Sequence, residues 1–441
     1  MTFSHILSRF QPVGILPTSV GTATFSGFCK PLAFRRGWFS QLIISTSACG
    51  MHLLRLLPLS AIVNDNVVRT TFCRFHSFGF NSWSGTLTLR LTHSVLALCL
   101  FSLSIVVRGT SIPAPSTLRT VAQARRFYVG AAVAVSPLLN SKLYQDTLSN
   151  NYNMVVPENV MKWDATEPRR GVFDFTAADS IVSFAKANNM QVRGHNLVWH
   201  QQLPGWLTGE TYSRDALLQI LHDHITGLVT HFKGQILDWD VVNEGIAEDG
   251  TLRKSLWYQG IGPDYIEQAF RFAHEADPDA KLFYNDYGGE GSGKKADVIY
   301  AMVRDLKQKG VPIDGVGLQM HVGIGPYESS RPADIAANMQ RLVALGLEVQ
   351  ITEMDVKTQN GTGSDSDKLT AQAKLYGDIL RVCLQQKGCT AFLTWGFTDL
   401  FTWIPGFTHH PDAPLPFDKA YQPKPAYQSL LNVLSEPIAL L

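Results

Sequence analysis

From residue 126 onward the chain alternates short apolar or β-branched runs with longer amphipathic stretches. This rhythm constrains the fold more than any other feature. Short apolar runs suit buried strands, while apolar residues recurring at i, i+3, i+4 and i+7 suit a helix packed on one side. Strands separated each time by a helix pair in parallel, because the crossover carries the chain back to its starting edge. The strand candidates are 127–133, 153–157, 191–197, 239–243, 281–285, 315–320, 348–352 and 391–395. Helical patterns lie at 177–189, 214–232, 264–275, 295–309, 332–345, 368–386 and 424–434. Within 214–232, Leu217, Leu218, Leu221, Ile225, Leu228 and Val229 recur at helical spacing. The expected class is α/β, as a closed (β/α)8 TIM barrel with loop insertions.

An open doubly wound sheet is the competing architecture, and it usually carries a phosphate-binding loop. The stretch GGEGSGKK, with Gly288, Gly293 and Lys294, comes close to one. Lys295, however, stands where a Ser or Thr hydroxyl must hold magnesium, and no downstream metal-binding Asp follows an apolar strand. The loop therefore reads as a glycine turn, and no cofactor or metal is expected.

The first part of the chain has a different texture. Residues 1–120 carry ten basic residues against one acid, Asp65. The net charge of +1 over all 441 residues hides this asymmetry and gives no pointer to nucleic acid. Residues 1–117 show no sustained period and are expected to form no packed domain. Within them, 94–107 is an uncharged apolar run followed by small residues and prolines. Its length suits the core of a signal peptide better than a membrane span. A membrane anchor and an organellar transit peptide are the other readings. Residues 118–441 form the expected barrel, as a monomer.

Function in a TIM barrel collects at the C-terminal ends of the strands. The second candidate strand ends in Glu158 and Asn159, with Lys162 after. The third ends in His195 and Asn196, with Trp199 and His200 after. The fourth ends in Asn243 and Glu244, and the fifth in Asn285, Asp286 and Tyr287. The sixth ends in Gln319 and His321, the seventh in Glu353 and Asp355, and the eighth in Trp395, with Trp403 in the next loop. Each has an ordinary reading on its own: a solvated Glu, a packing Trp, a hydrogen-bonded structural His. Their recurrence on one rim suits a neutral polyhydroxylated ligand, with indoles for ring faces and amides, imidazoles and carboxylates for hydroxyls. Two carboxylates are what glycoside hydrolysis requires. Glu244 and Glu353 lie on strands across the mouth from each other, and His321 and Asp355 are placed to orient Glu353 and keep it ionised.

The segments ENVMKW from Glu158, RGHNLVWH from Arg193, WDVVNE from Trp239, LFYNDYG from Leu282, GLQMH from Gly317, ITEMDV from Ile351 and WGFTD from Trp395 resemble glycoside hydrolase family 10, the xylanases. The likeness covers about 118–434. It implies a retaining endo-β-1,4-xylanase acting on xylan and xylo-oligosaccharides, with Glu244 as acid/base and Glu353 as nucleophile. It also implies that Glu158, Asn159, Lys162, His195, Trp199, Asn243, Gln319, His321, Trp395 and Trp403 hold xylose rings on the non-reducing side of the cut. Tyr287 matches an aromatic position on the leaving-group side. Cys383 and Cys389 match a disulfide of many members, which with the apolar segment points to secretion. Thr402 departs from the family's usual Ser while keeping the hydroxyl. Asn360, in Asn360-Gly361-Thr362, is a glycosylation sequon. Two alternatives remain open at this point: a cellulase-like β-1,4-glycanase on the same barrel, and a non-catalytic xylan-binding protein.

Overall fold

The computed structural model describes residues 116–325 and 331–437. The expectations about residues 1–115, including the apolar run 94–107, lie outside the described residues. Nine parallel strands lie among the described residues: β1 Tyr128–Val133, β2 Met154–Pro157, β3 Gln191–Val198, β4 Asp238–Asn243, β5 Lys281–Asp286, β6 Gly315–Leu318, β7 His321–Gly323, β8 Glu348–Lys357 and β9 Cys389–Thr394. They pair in the order β6-β5-β4-β3-β2-β1-β9-β8, and a β6–β8 ladder closes the ring of eight. The short β7 continues along β8 beyond the end of β6.

The main helices are α1 Leu118–Ala124, α2 Lys142–Asn151, α3 Thr176–Ala187, α4 Arg214–His231, α5 Tyr265–Ala276, α6 Lys294–Gln308, α7 Pro332–Val343, α8 Asp365–Gln385 and α9 Pro425–Ser435. The expected TIM barrel is therefore the observed fold. The apolar stripe of α4 is buried as its spacing requires, at Leu217, Leu221, Ile225, Leu228 and Val229.

Three local differences from the sequence reading have physical causes. Helices α1 and α2 were not foreseen, because each buries only two apolar side chains, Leu118 and Ala122 in α1 and Tyr144 and Leu148 in α2, too sparse a pattern to read as a period. Candidate strand 315–320 breaks at Met320, whose φ of +65° cannot continue a strand. Strand β8 runs to Lys357 rather than stopping at 352, because the polar residues read as loop continue the ladder into the site.

The apolar core fills the layer between barrel and helices. The barrel interior is partly polar. Arg193 on β3 donates to Gln350 Oε1 on β8 at 2.7 Å, and these strands are not neighbours, so its side chain crosses the interior. Asp240 accepts from Arg193 Nε at 3.1 Å, pairing a fully buried guanidinium. Two residues on, His195 faces the same interior, as the period of a strand demands.

Candidate active site

Glu353 comes from β8 and is buried. Its carboxylate accepts from Asn285 Nδ2 at 2.6 Å and lies 3.0 Å from His321 Nε2. His321 Nδ1 lies 2.9 Å from Asp355 Oδ2, which also accepts from Trp403 Nε1 at 2.8 Å. Burial acts to deprotonate His321, but the carboxylates on either side outweigh it and push its pKa up to about 10. His321 is then an imidazolium with both N–H groups donating. For Glu353 burial would favour the acid, yet the His321 hydrogen bond and the charges of His195 and His321 hold its pKa below the usual value.

Glu244 follows β4 and is treated in the opposite way. Burial raises its pKa most, the Asp286 carboxylate adds to this, and so does Glu353, while the Trp199 indole and the Gln319 amide offset only part. The nearest basic group is His200, with Nδ1 3.8 Å from Glu244 Oε2. Burial and then the Arg253 charge push the His200 pKa down to about 3, so it brings no positive charge. The Glu244 backbone has φ +57°, a left-handed conformation that costs a non-glycine residue on the order of 1 kcal/mol. It is fastened at both ends: its N–H donates to the Asn285 carbonyl at 2.8 Å, and its own carbonyl accepts from Arg253 Nε at 2.8 Å.

A chain of amides joins the two carboxylates. Asn285 Nδ2, besides reaching Glu353, donates to Asn243 Oδ1 at 2.8 Å, and Asn243 Nδ2 lies 3.3 Å from Glu244 Oε1. Gln319 Nε2 contacts both Asn243 Oδ1 and Glu244 Oε1 at 3.2 Å. Gly317 explains part of this arrangement. A Cβ there would stand 2.2 Å from Asn285 Oδ1, so the glycine of GLQMH leaves the space that Asn285 occupies.

The other sequence-predicted residues flank this pair. Lys162 is buried, donates to Asn159 Oδ1 at 2.9 Å, and lies 4.8 Å from the Trp199 ring and 6.0 Å from that of Trp395. Burial lowers its pKa, against the raising influence of Glu353, Glu158 and Glu244. Glu158 is driven toward the acid form by burial and back by Lys162. His195 and Trp395 rings meet edge to face at 4.9 Å, and His321 and Trp403 at 5.2 Å. Tyr287 lies on the opposite flank, its hydroxyl bonded to Glu248 and 3.0 Å from Arg253 Nη2. The Thr402 hydroxyl accepts from the Ile404 N–H at 3.4 Å, a structural bond. Cys383 and Cys389 have Cα atoms 5.4 Å apart, within the range a disulfide spans. Asn360 is exposed.

Several contributors were not named as site residues from sequence. Asn285 was placed on the rim by the strand-end rule, as Asn243 was, but was given no role there. Gln202, which accepts from Lys162 Nζ at 2.8 Å, and Arg253, with Glu248, come from loops whose course no periodicity encodes. Among the described residues no cluster of His, Cys, Asp and Glu could hold a metal ion.

A pair of glutamates, one biased toward the ionised form and the other toward the acid, beside indoles and amides, fits acid-assisted displacement at a sugar carbon. Comparison with known proteins agrees. The glycosyl hydrolase family 10 model matches residues 117–433. Endo-1,4-beta-xylanase B of Thermotoga neapolitana is 42% identical over 323 residues, covering 73% of this chain and 92% of that protein. Endo-1,4-beta-xylanase D of Talaromyces funiculosus is 43% identical over 321 residues, covering 72% of this chain and 77% of that protein. The crystal structure of xylanase 10B from Thermotoga petrophila in complex with xylobiose is 43% identical, with a TM-score of 0.71, covering 74% of this chain and 99% of that one. With its barrel, its paired glutamates and these relatives, the chain belongs to glycosyl hydrolase family 10 and is an endo-1,4-beta-xylanase.

Proposed function

We propose that Glu353 is the nucleophile and Glu244 the acid/base of a double displacement that cuts internal β-1,4-xylosidic bonds with retention. The observation that carries this reading is the opposite bias on the two glutamates: an imidazolium on Glu353, and burial with two carboxylates around Glu244. In the first step a Glu353 oxygen bonds to the anomeric carbon, the bond to the leaving oxygen breaks, and the Glu244 proton passes to that oxygen. The covalent ester removes the Glu353 charge. Glu244 then becomes more acidic and can take a proton from water, whose oxygen bonds to the anomeric carbon as the ester bond breaks. Both inversions together restore the β configuration.

The glycone side is assigned to Lys162, Glu158, Asn159, His195, Trp199, Asn243, Gln319, Trp395 and Trp403, and the leaving-group side to Tyr287. Asp355 orients His321 and sustains its charge. The reading extends to a secreted monomer with the Cys383–Cys389 bridge formed and a glycan at Asn360, supported by the apolar run 94–107, the Cα spacing and the exposed sequon. Incubation with purified xylan and with carboxymethylcellulose tests the substrate. Reducing ends should appear from xylan alone, and preferential release from carboxymethylcellulose would overturn the assignment.

A further inference from the structure

The glycine-rich segment after β5 ends in two lysines, Lys294 and Lys295. Its second lysine, Lys295, lies in the first turn of α6 and is only 6% exposed. An ammonium that far from water requires compensation. Lys295 Nζ stands 2.8 Å from Asp286 Oδ1 and 3.7 Å from the centre of the Tyr287 ring.

Both partners bear on catalysis. Asp286 Oδ2 accepts from the Ile246 N–H at 3.3 Å and from the Tyr284 hydroxyl, so it anchors the chain two residues past Glu244. Its charge follows burial itself as the strongest influence keeping the proton on Glu244. Tyr287 is pinned at its hydroxyl by Glu248 and Arg253, and Arg253 also holds the Glu244 carbonyl. With a buried ammonium packed against the ring, the aromatic face left for a sugar is the one turned away from Lys295.

We propose that Lys295 is a positioning residue that couples the leaving-group sugar to acid catalysis, pairing with Asp286 beside Glu244 while backing the Tyr287 ring on which the first leaving-group xylose rests. This rests on Glu244 being the acid.

The other groups facing Glu244 are Glu353 from β8, His200 from the loop after β3, Arg253 from the loop after β4 and Lys162 from the loop after β2. Tyr265 and Tyr284 also face Asp286, and burial keeps both phenols neutral. Of the charges that act on Glu244, Asp286 is the one Lys295 neutralises directly. Without that cation the buried Asp286 takes up a proton, and Glu244 loses a neighbour that favours its acid form.

The experiment is the pH dependence of kcat/KM for xylotriose in Lys295→Met and, independently, in Asp286→Asn, which removes the same charge with little change of shape. The alkaline limb should move down by about one pH unit in each. Lys295→Arg, which keeps the charge, should return it to the wild-type position. An unmoved limb in either folded variant overturns the proposal, and so does an Arg variant shifted as far as Met. Azide rescue of Glu244→Ala on an activated aryl substrate tests the underlying acid assignment separately. Absence of rescue defeats that assignment, whereas rescue with an unmoved limb defeats only the role of Lys295.

Discussion

Glu244 and Glu353 are the same residue type, both largely removed from solvent on one rim, Glu244 just past the end of β4 and Glu353 within β8. Burial pushes both toward the neutral acid, and the surroundings then separate them. Around Glu353 stand an imidazolium and an amide donor. Around Glu244 stand two carboxylates and a histidine whose own burial keeps it neutral. The contrast teaches that position in the barrel supplies proximity, while the groups one layer out bias one glutamate toward the acid and the other toward the carboxylate.

The largest effect should come from removing the two glutamates themselves. Glu353→Ala should lose on the order of 10^4-fold or more in kcat on every substrate, because no bond to the anomeric carbon can form. Glu244→Ala should lose about 10^2–10^4-fold on xylo-oligosaccharides. On a dinitrophenyl xylobioside, whose leaving group needs no proton, it should still show a burst of dinitrophenol. Equal losses on both substrates in Glu244→Ala would erase the distinction drawn between the two residues.

Gly317→Ala attacks the bridge between them. Its Cβ would force Asn285 aside, and a misplacement approaching 1 Å costs up to about 10^2-fold. The loss should appear in kcat, together with a lower thermal unfolding temperature, because the same Cβ would stand 2.8 Å from Cγ2 of buried Thr352. Wild-type kcat in the folded variant would remove Asn285 from the account.

His321→Gln sharpens the comparison from the other side. The imidazolium lowers the Glu353 pKa, so its removal raises that pKa and the acid limb of kcat/KM should move to higher pH by about one to three units. The alkaline limb, set by Glu244, should move much less. Movement of both limbs together would mean that the two glutamates titrate as one unit.

How far the sequence carried can be seen in particular residues. The barrel was legible because the α4 stripe and the buried runs of β1, β2 and β9 obey simple periods. Glu244, Asn243, His321 and Glu353 were legible because strand ends in this architecture converge. Arg253 was not, since a loop brings it back to the Glu244 carbonyl. Nor was Lys295, whose motif resembled a failed phosphate loop until the packing of α6 set it against Asp286 and Tyr287. The cis His195–Asn196 peptide likewise has no marker in sequence.

The smallest expected effect lies away from the rim. A bridge between Cys383 and Cys389, six positions apart, closes a short loop between α8 and β9. Its reduction should cost about 2 kcal/mol of stability and leave kcat unchanged. An unfolding temperature that ignores reductant would show that the bond is not formed.

The division of roles is tested most directly by the configuration of the azide product. In Glu244→Ala the nucleophile remains, so an activated aryl β-xylobioside with azide should give the β-glycosyl azide after two inversions. In Glu353→Ala azide takes the place of the missing carboxylate, and the product should be the α-glycosyl azide after one. Proton NMR of the anomeric signal distinguishes the two products. The opposite pairing of variant and configuration, or the same configuration from both variants, would contradict the assignment of these two glutamates.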